Sequence, residues 1–512
     1  MSSHPASLPS STLRHHASSS PPPYSFYDDV LASLGDTNEI DADSSETDAE
    51  SPWPDPIDLP HEITERIFFY ACQRYANDDS WYRPFYPLYF GRVCRAWRQL
   101  AWATSSLWTT VVVRQVEIES AEIQRQLLEE WLERTQGRPL EIYFDTSIPY
   151  YHQPLLRLLV HYREQWVAIK FANIPHMLSS NSSQSMFDTP ISFPQLASVT
   201  VHRHRHAPSK NITLLDFSQS PALSNLSVIN FQSTNFHEYI IHQPGGISRL
   251  SLTNGTHLDL IAILKRYPQL EELALSSLPK RFPTMRRTDI QRHIRLASIF
   301  IRSSLWKVVA RFFQHLSALS FPALNNLNLD LINSDPVSMS QLSSLIQLFD
   351  CTLTSFSLTY PIREEFALID LLFSSPFSSI RELHLTDSNE GRSASGLTTA
   401  FFEALQVDNP EDALLPRLEV FSYHGRLGLY AIDFLDPLII RSRIRYFNEN
   451  TLTHSTTDLD DSIAVLKKIE IRADQNEFTI AEYTDPLYIW ELIRLMELRI
   501  LTLENEDGSA WI

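Results

Sequence analysis

One phrase recurs along the chain and limits what it can fold into: Pro-x-apolar-x-x-apolar-x-apolar. It occurs at Pro194 (Leu196, Val199, Val201), Pro221 (Leu223, Leu226, Val228), Pro268 (Leu270, Leu273, Leu275), Pro322 (Leu324, Leu327, Leu329) and Pro416 (Leu418, Phe421, Tyr423). The apolar triplet alone would arise by chance about 20 times in such a chain, so it carries no weight by itself. With the leading proline, chance allows about one or two instances. Five are present. The step from 194 to 221 is 27 residues and that from 268 to 322 is 54, twice as long. Looser copies lack the proline: Trp166/Ile169/Phe171, Ile247/Leu250/Leu252, Leu353/Phe356/Leu358, Ile380/Leu383/Leu385, Leu466/Ile469/Ile471 and Leu498/Leu501/Leu503. The last two apolar positions of each triplet are two apart, which puts them on one side of a strand.

Between these phrases, Leu258 to Tyr267 and Gln341 to Phe349 have helical spacing. A short strand followed by a covering helix resembles the unit of a leucine-rich-repeat solenoid, in which each unit buries its apolar edge only against its neighbours. The expected fold class is therefore α/β, with an irregular leucine-rich-repeat-like solenoid over residues 139–505. Its ligand surface would be the exposed, alternate strand positions. Those include Lys170, His202, Asp330, His384, His424, Glu470 and Arg472, which are candidates for holding a protein substrate as a set rather than singly.

Composition removes several function classes. The 512 residues include 11 glycines, where average usage would give roughly 36. Phosphate-cradling loops need glycines at fixed offsets, and Gly425 with Gly428 has no matching context. The net charge of −19 opposes sequence-independent binding to nucleic acid or an anionic membrane. Residues 1–58 hold eleven acidic residues and only Arg14 as a base, so −10 of the −19 is local and −9 remains for the other 454 residues. No run of 18 apolar residues exists, and residues 1–23 lack the apolar core of a secretory signal. Cys72, Cys94 and Cys351 are too dispersed for a disulfide framework, which suits a reducing compartment. The expected location is cytoplasm or nucleus, and the sequons at Asn181, Asn211, Asn225 and Asn254 read as chance matches.

Residues 1–52 mix Ser, Pro and acid runs with few large apolar groups, the composition of a disordered tail. The texture changes near Pro56. Leu59, Ile63, Ile67, Phe68 and Ala71 have helical spacing, as do Leu88, Val93, Trp97, Leu100 and Ala101. A polar, aromatic stretch from Gln73 to Pro87 separates them. These features predict a small all-α module over 55–115. A linker helix follows within 116–138, where Ile123, Leu127, Leu128, Trp131 and Leu132 are expected to share one packed face.

The module is more specific in sequence than in periodicity. Leu59-Pro60-His61-Glu62-Ile63, then Ile67-Phe68, then Val93-Cys94-Arg95-Ala96-Trp97-Arg98-Gln99-Leu100-Ala101, then Leu107-Trp108, resembles the F-box family. The match covers about a tenth of the chain, and its blocks stand in the family's order. The segment between Phe68 and Val93 is longer than in compact F-boxes, an insertion that a helix connection tolerates. The resemblance implies docking on a Skp1-type adaptor and, through it, on a cullin. By the family pattern, Leu59, Pro60, Ile63, Ile67, Val93, Trp97, Leu107 and Trp108 would be the adaptor-facing or core-forming set.

Catalytic and metal motifs give no support. His61-Glu62 begins like a zincin motif, but Glu65 stands where the second histidine should be. His202, His204 and His206 could share a strand face, yet with no carboxylate or cysteine nearby in sequence a solvated edge is the better reading. No Gly-x-Ser-x-Gly elbow occurs. The expectation is a non-catalytic, cofactor-free substrate receptor of a Skp1-cullin-F-box type ubiquitin ligase. Two alternatives remain open: an F-box-like scaffold outside ubiquitination, and an enzyme with its site in 139–505.

Overall fold

Every one of the eleven phrases becomes a strand, and all the strands join one sheet. The computed structural model describes residues 59–73, 86–113, 121–145, 153–172, 192–202, 215–230, 240–242, 244–254, 260–279, 291–316, 319–331, 339–347, 349–362, 364–388, 396–406, 413–427, 434–442, 464–473 and 486–505. The segment 1–52, expected to be a disordered tail, lies outside them. The chain divides into two units, Met1–Pro60 and His61–Ile512, and the second holds both the helical module from His61 onward and the sheet.

The architecture is mixed α/β, and among the described residues its main element is a 14-stranded sheet whose strands follow chain order. All neighbours are parallel, and from Ser198–His202 to Val420–His424 they pair in unbroken register. One row therefore runs Val199, Leu226, Leu250, Leu273, Ile299, Leu327, Phe356, Leu383, Phe421, with each residue beside the next. A second row, two residues on, runs Val201, Val228, Leu252, Leu275, Ile301, Leu329, Leu358, Leu385, Tyr423. Both rows are buried and belong to one core, into which helices such as Leu260–Arg266, Trp306–Leu316, Met339–Gln347 and Glu365–Phe373 also pack. Parallel sheets are usually covered on both faces. Here the other face, carrying Thr200, Ser227, Ser251, Asn328 and Ser357, is only half-buried.

The prolines acquire a structural reason. Each stands second in a tight turn closed by a hydrogen bond from the first apolar residue of the phrase. Leu196 N donates to Phe193 O (3.2 Å), Leu223 N to Ser220 O (3.2 Å), Leu270 N to Tyr267 O (3.1 Å), Leu324 N to Phe321 O (3.0 Å) and Leu418 N to Leu415 O (3.0 Å). Proline suits that position because its φ is preset and its missing N–H is not needed. At the far end of three strands the chain turns through left-handed residues that are not glycine: Asn230, Asn254 and Ser277, with φ of 61°, 57° and 58°. Each donates its N–H to the end of the next strand, as Asn230 N does to Thr253 O at 2.8 Å. Asparagine tolerates this conformation better than most residues, so the chain needs little glycine.

Three expectations need correction, and one further strand is added. The sheet begins at Thr110–Val113, inside the segment assigned to the helical module, rather than at 139. A four-residue run is too short to announce itself by period. A further strand, Ser298–Arg302, carries Leu296, Ile299 and Ile301 and fills the 54-residue gap between the third and fourth prolines. The helix Ala121–Arg134 does not bury one shared face: Leu128 and Leu132 are inside, while Ile123 and Leu127 are exposed. Its buried arc follows Gln124, Leu128, Leu132 and Thr135, about 100° round the helix from Ile123 and Leu127. Leu498, expected as the inward residue opening the last phrase, is exposed ahead of the left-handed Arg499.

Leu327 sits at the middle of the first apolar row with no accessible surface. Leu327→Ala is expected to cost about 2–5 kcal/mol in chemical denaturation, through lost transfer energy and a residual cavity. Pro322→Ala, which leaves the turn hydrogen bond in place, is expected to cost about 1 kcal/mol or less, through the unfolded chain.

Candidate functional site

The helical module is built on its own small core. Helices His61–Gln73, Tyr86–Val93 and Arg95–Ala103 and the 3-10 turn Ser105–Trp108 enclose Phe68, Ala101, Leu107 and Trp108. The Phe68 ring stacks on Phe90 at 4.0 Å and meets Trp97 edge-on at 5.0 Å. Cys94 caps its helix, its sulfur accepting from Trp97 N at 3.4 Å. Arg98 Nε donates to Gly91 O at 2.7 Å. A Cβ on Gly91 would collide with the Trp102 ring, so the helix pair is close enough to demand glycine there. Burial pushes the Cys72 thiol up to about 12, which makes it a packing residue rather than a nucleophile.

Only one side of the first helix faces this core. Thr64 and Phe68 point in, whereas Ile63 and Ile67, one turn apart, point out with 43% and 46% of their surface exposed. Val93, at the end of the second helix, is 60% exposed. Leu59 and Pro60, in the other unit, are exposed as well. The remaining members of the set that the family resemblance picked out lie elsewhere: Trp97 is half-buried against Phe68, and Leu107 and Trp108 are interior. Those two take the core-forming part of that set rather than an adaptor-facing one, since side chains with almost no accessible surface cannot touch a partner unless the module unpacks.

Trp108 is also where the module meets the sheet. Its indole N–H donates to Ala101 O at 2.8 Å, and its carbonyl accepts from the indole N–H of Trp131, on helix Ala121–Arg134, at 2.8 Å. The two rings sit edge to face at 4.6 Å. The Arg134 guanidinium lies 5.0 Å above Trp108 and 5.7 Å from Trp102, within cation–π range. Arg138 Nε reaches Ser105 Oγ at 2.6 Å, and Glu141 N donates to Thr109 O at 3.0 Å. Nothing in the sequence pattern singled out Arg134. Its helical offset of three from Trp131 was the available signal.

On the sheet, the seven candidate substrate-binding residues all fall on outward or terminal strand positions, but the fold does not gather them. Lys170, His384 and Glu470 occupy mid-strand positions, and His202, Asp330, His424 and Arg472 the last position of their strands. Lys170 and Glu470 are ten strands apart in the sheet order, about 48 Å at the usual strand spacing. Several are also committed within the chain. Lys170 Nζ lies 5.9 Å from the Tyr143 ring, Glu470 pairs with Lys468, and Arg472 with Glu504. His202 Nε2 is 2.7 Å from Asn230 Nδ2, and Asn230 Oδ1 accepts from Asn254 Nδ2 at 2.6 Å. That ladder uses the left-handed asparagines and was not foreseen. His204 and His206 lie outside the described residues. Asp330 is nearly buried and pairs with Arg302 at 2.8 Å. Burial raises its pKa, and Arg302 opposes the rise.

A cleft of about 630 Å³ opens where the strands begin, lined by Glu271, Glu272, Arg295, Ser298, Asn325 and Asn326, with Glu272 paired to Arg249 at 3.2 Å. Among the described residues no group of His, Cys, Asp and Glu could hold a metal ion, and no helix is long and apolar enough to cross a membrane. No family model matches the chain, and neither does any curated protein.

Two measurements probe this geometry. Trp131→Ala is expected to speed amide exchange in helices His61–Gln73 and Arg95–Ala103 while leaving strands Ser298–Arg302 and Asn326–Asp330 protected, because the joint loosens and the sheet core does not. Because the Asp330 pKa is higher folded than unfolded, its contribution to stability is full at low pH and is lost as pH rises through the folded value. Wild type is therefore expected to gain thermal stability relative to Asp330→Asn as the pH falls from about 7 to about 4. A pH-independent difference would contradict the assignment.

Proposed function

We propose that this chain is the non-catalytic receptor subunit of a Skp1-cullin-F-box type ubiquitin ligase, working in cytoplasm or nucleus. The observation that carries the reading is the apolar stripe of Ile63 and Ile67, together with Val93, left outside a module whose core is already complete without them. Large apolar groups at helical spacing, needed neither for the fold nor for solubility, are what a helical partner would cover. Leu59-Pro60 immediately ahead of the helix, and Val93-Cys94 with Trp97, supply the F-box-like sequence context.

The parallel, in-register sheet with helices on one face and a mixed, mostly polar row on the other, from Lys170 and Thr200 through Phe300 to His384 and Glu470, supports a leucine-rich-repeat-like array, whose open face would take the protein substrate. Ubiquitin transfer would be done by other subunits. This chain would contribute proximity, holding the substrate at a fixed place relative to the adaptor. The indole and guanidinium packing of Trp102, Trp108, Trp131 and Arg134 supplies the stiffness that such a role needs.

Co-expression with a Skp1-type protein tests the reading. Wild type is expected to co-purify with it. Ile63→Glu combined with Ile67→Glu is expected to weaken binding at least tenfold with little change in melting temperature, because both side chains are solvent-facing. A wild-type chain that never binds the adaptor rules the proposal out. Binding with no effect on the turnover of a bound partner would leave a scaffold and remove the ligase.

A further inference from the structure

Helix Glu365–Phe373 is apolar on nearly every side, yet only one side of it is packed. Leu368, Ile369, Leu371 and Leu372 are buried in the common core, and Glu365 is buried as well, accepting from Thr398 N at 2.6 Å. On the opposite side Phe366, Asp370 and Phe373 stand at i, i+4 and i+7, which aligns them in one outward stripe. Phe366 is 73% exposed and Phe373 is 50% exposed. At 1.5 Å per residue the two rings are carried about 10 Å apart along the axis. The fold does not require them, since the inward half of the helix is complete without them. The neighbouring helix Met339–Gln347 turns serine and glutamine outward instead.

The stripe is also acidic. Asp370 lies between the rings, Glu364 precedes the helix, and Glu403 is exposed on the adjacent helix Thr399–Leu405. Among the described residues no ion pair engages any of the three. We infer that this helix is a docking element for a partner protein that presents an apolar groove rimmed by lysine or arginine. The two phenyl groups are its anchors, in the manner of a helix laid into a groove. A second copy docked face to face would set Asp370 against Asp370 on chains whose residues 59–512 carry −9, and an anionic bilayer would be repelled in the same way. The surface belongs to the helix layer, so it is independent of the adaptor-facing stripe and of the open sheet face.

The test places the photo-crosslinker p-benzoylphenylalanine at position 366 or 373 of the full chain in its own cells, with position 347 as control. The captured protein is then purified and titrated against the full chain. The same partner is expected at both positions and not at the control. Its affinity should fall about tenfold or more with Phe366→Ala, with Asp370→Lys, and on raising the salt to about 0.5 M. Asp370→Lys changes a solvated position and keeps the test open should an alanine variant fail to fold. The inference is overturned if nothing is captured above the control, if the captured protein is a second copy of the chain, or if affinity ignores both substitutions. Binding of the full chain to phosphatidylserine vesicles that is lost with Phe366→Ala would overturn it too.

Discussion

Most strands of this sheet carry two inward side chains, Leu140–Asp145 carries three, and none can bury them alone; the burial comes from the neighbouring strands and the helices that cover them. Leu327 lies between Ile299 and Phe356, Leu329 between Ile301 and Leu358, and the same relation holds along the array. The register follows from that constraint. A slip of one residue would send both apolar rows to the open face and bring serine, threonine and asparagine into the core. The features flanking the strands keep those two rows aligned, from the proline turns before them to the left-handed residues after them.

That constraint also explains what could be read from the sequence. The spacing of the phrase is the register itself, so eleven strands were legible from residue types alone, and helices Leu260–Arg266 and Met339–Gln347 were legible from their period. Proline was the better guide because it marks a turn of fixed geometry, whereas Leu296/Ile299/Ile301 follows His293, whose ring nitrogen accepts from Leu296 N at 3.2 Å in place of the usual turn carbonyl. Two things were not legible. The first strand, Thr110–Val113, pairs with a strand that lies beyond an intervening helix, so no local pattern ties it to the sheet. The division of the residues picked out by the family resemblance between surface and interior depends on tertiary packing: Ile67 and its neighbour Phe68 face opposite ways, and Trp108 is wholly inside because Trp131 and Arg134 close over it.

The low glycine content takes on a different meaning in this light. A chain with 11 glycines cannot use them at every turn, and it does not. Proline presets the turn before a strand, and asparagine or serine accepts the left-handed turn after it, where Asn230 and Asn254 also hydrogen-bond to each other and to His202. Among the described residues glycine still serves where a Cβ has no room, as at Gly91 against Trp102, and at the left-handed Gly137. The candidate surfaces follow from the same economy: the module and the array are each closed on themselves, so the apolar groups left outside, Ile63 and Ile67 at one site and Phe366 and Phe373 at another, are available to other molecules.

The central claim is that the outward face of helix His61–Gln73 receives a Skp1-type adaptor while the sheet remains open. Amide exchange of the purified chain with and without that adaptor tests it directly. Protection is predicted over residues 61–73 and 86–93, with strands Ser198–His202 to Lys468–Arg472 unchanged. Protection confined to the sheet, or a chain whose exchange the adaptor leaves unaltered, would contradict it.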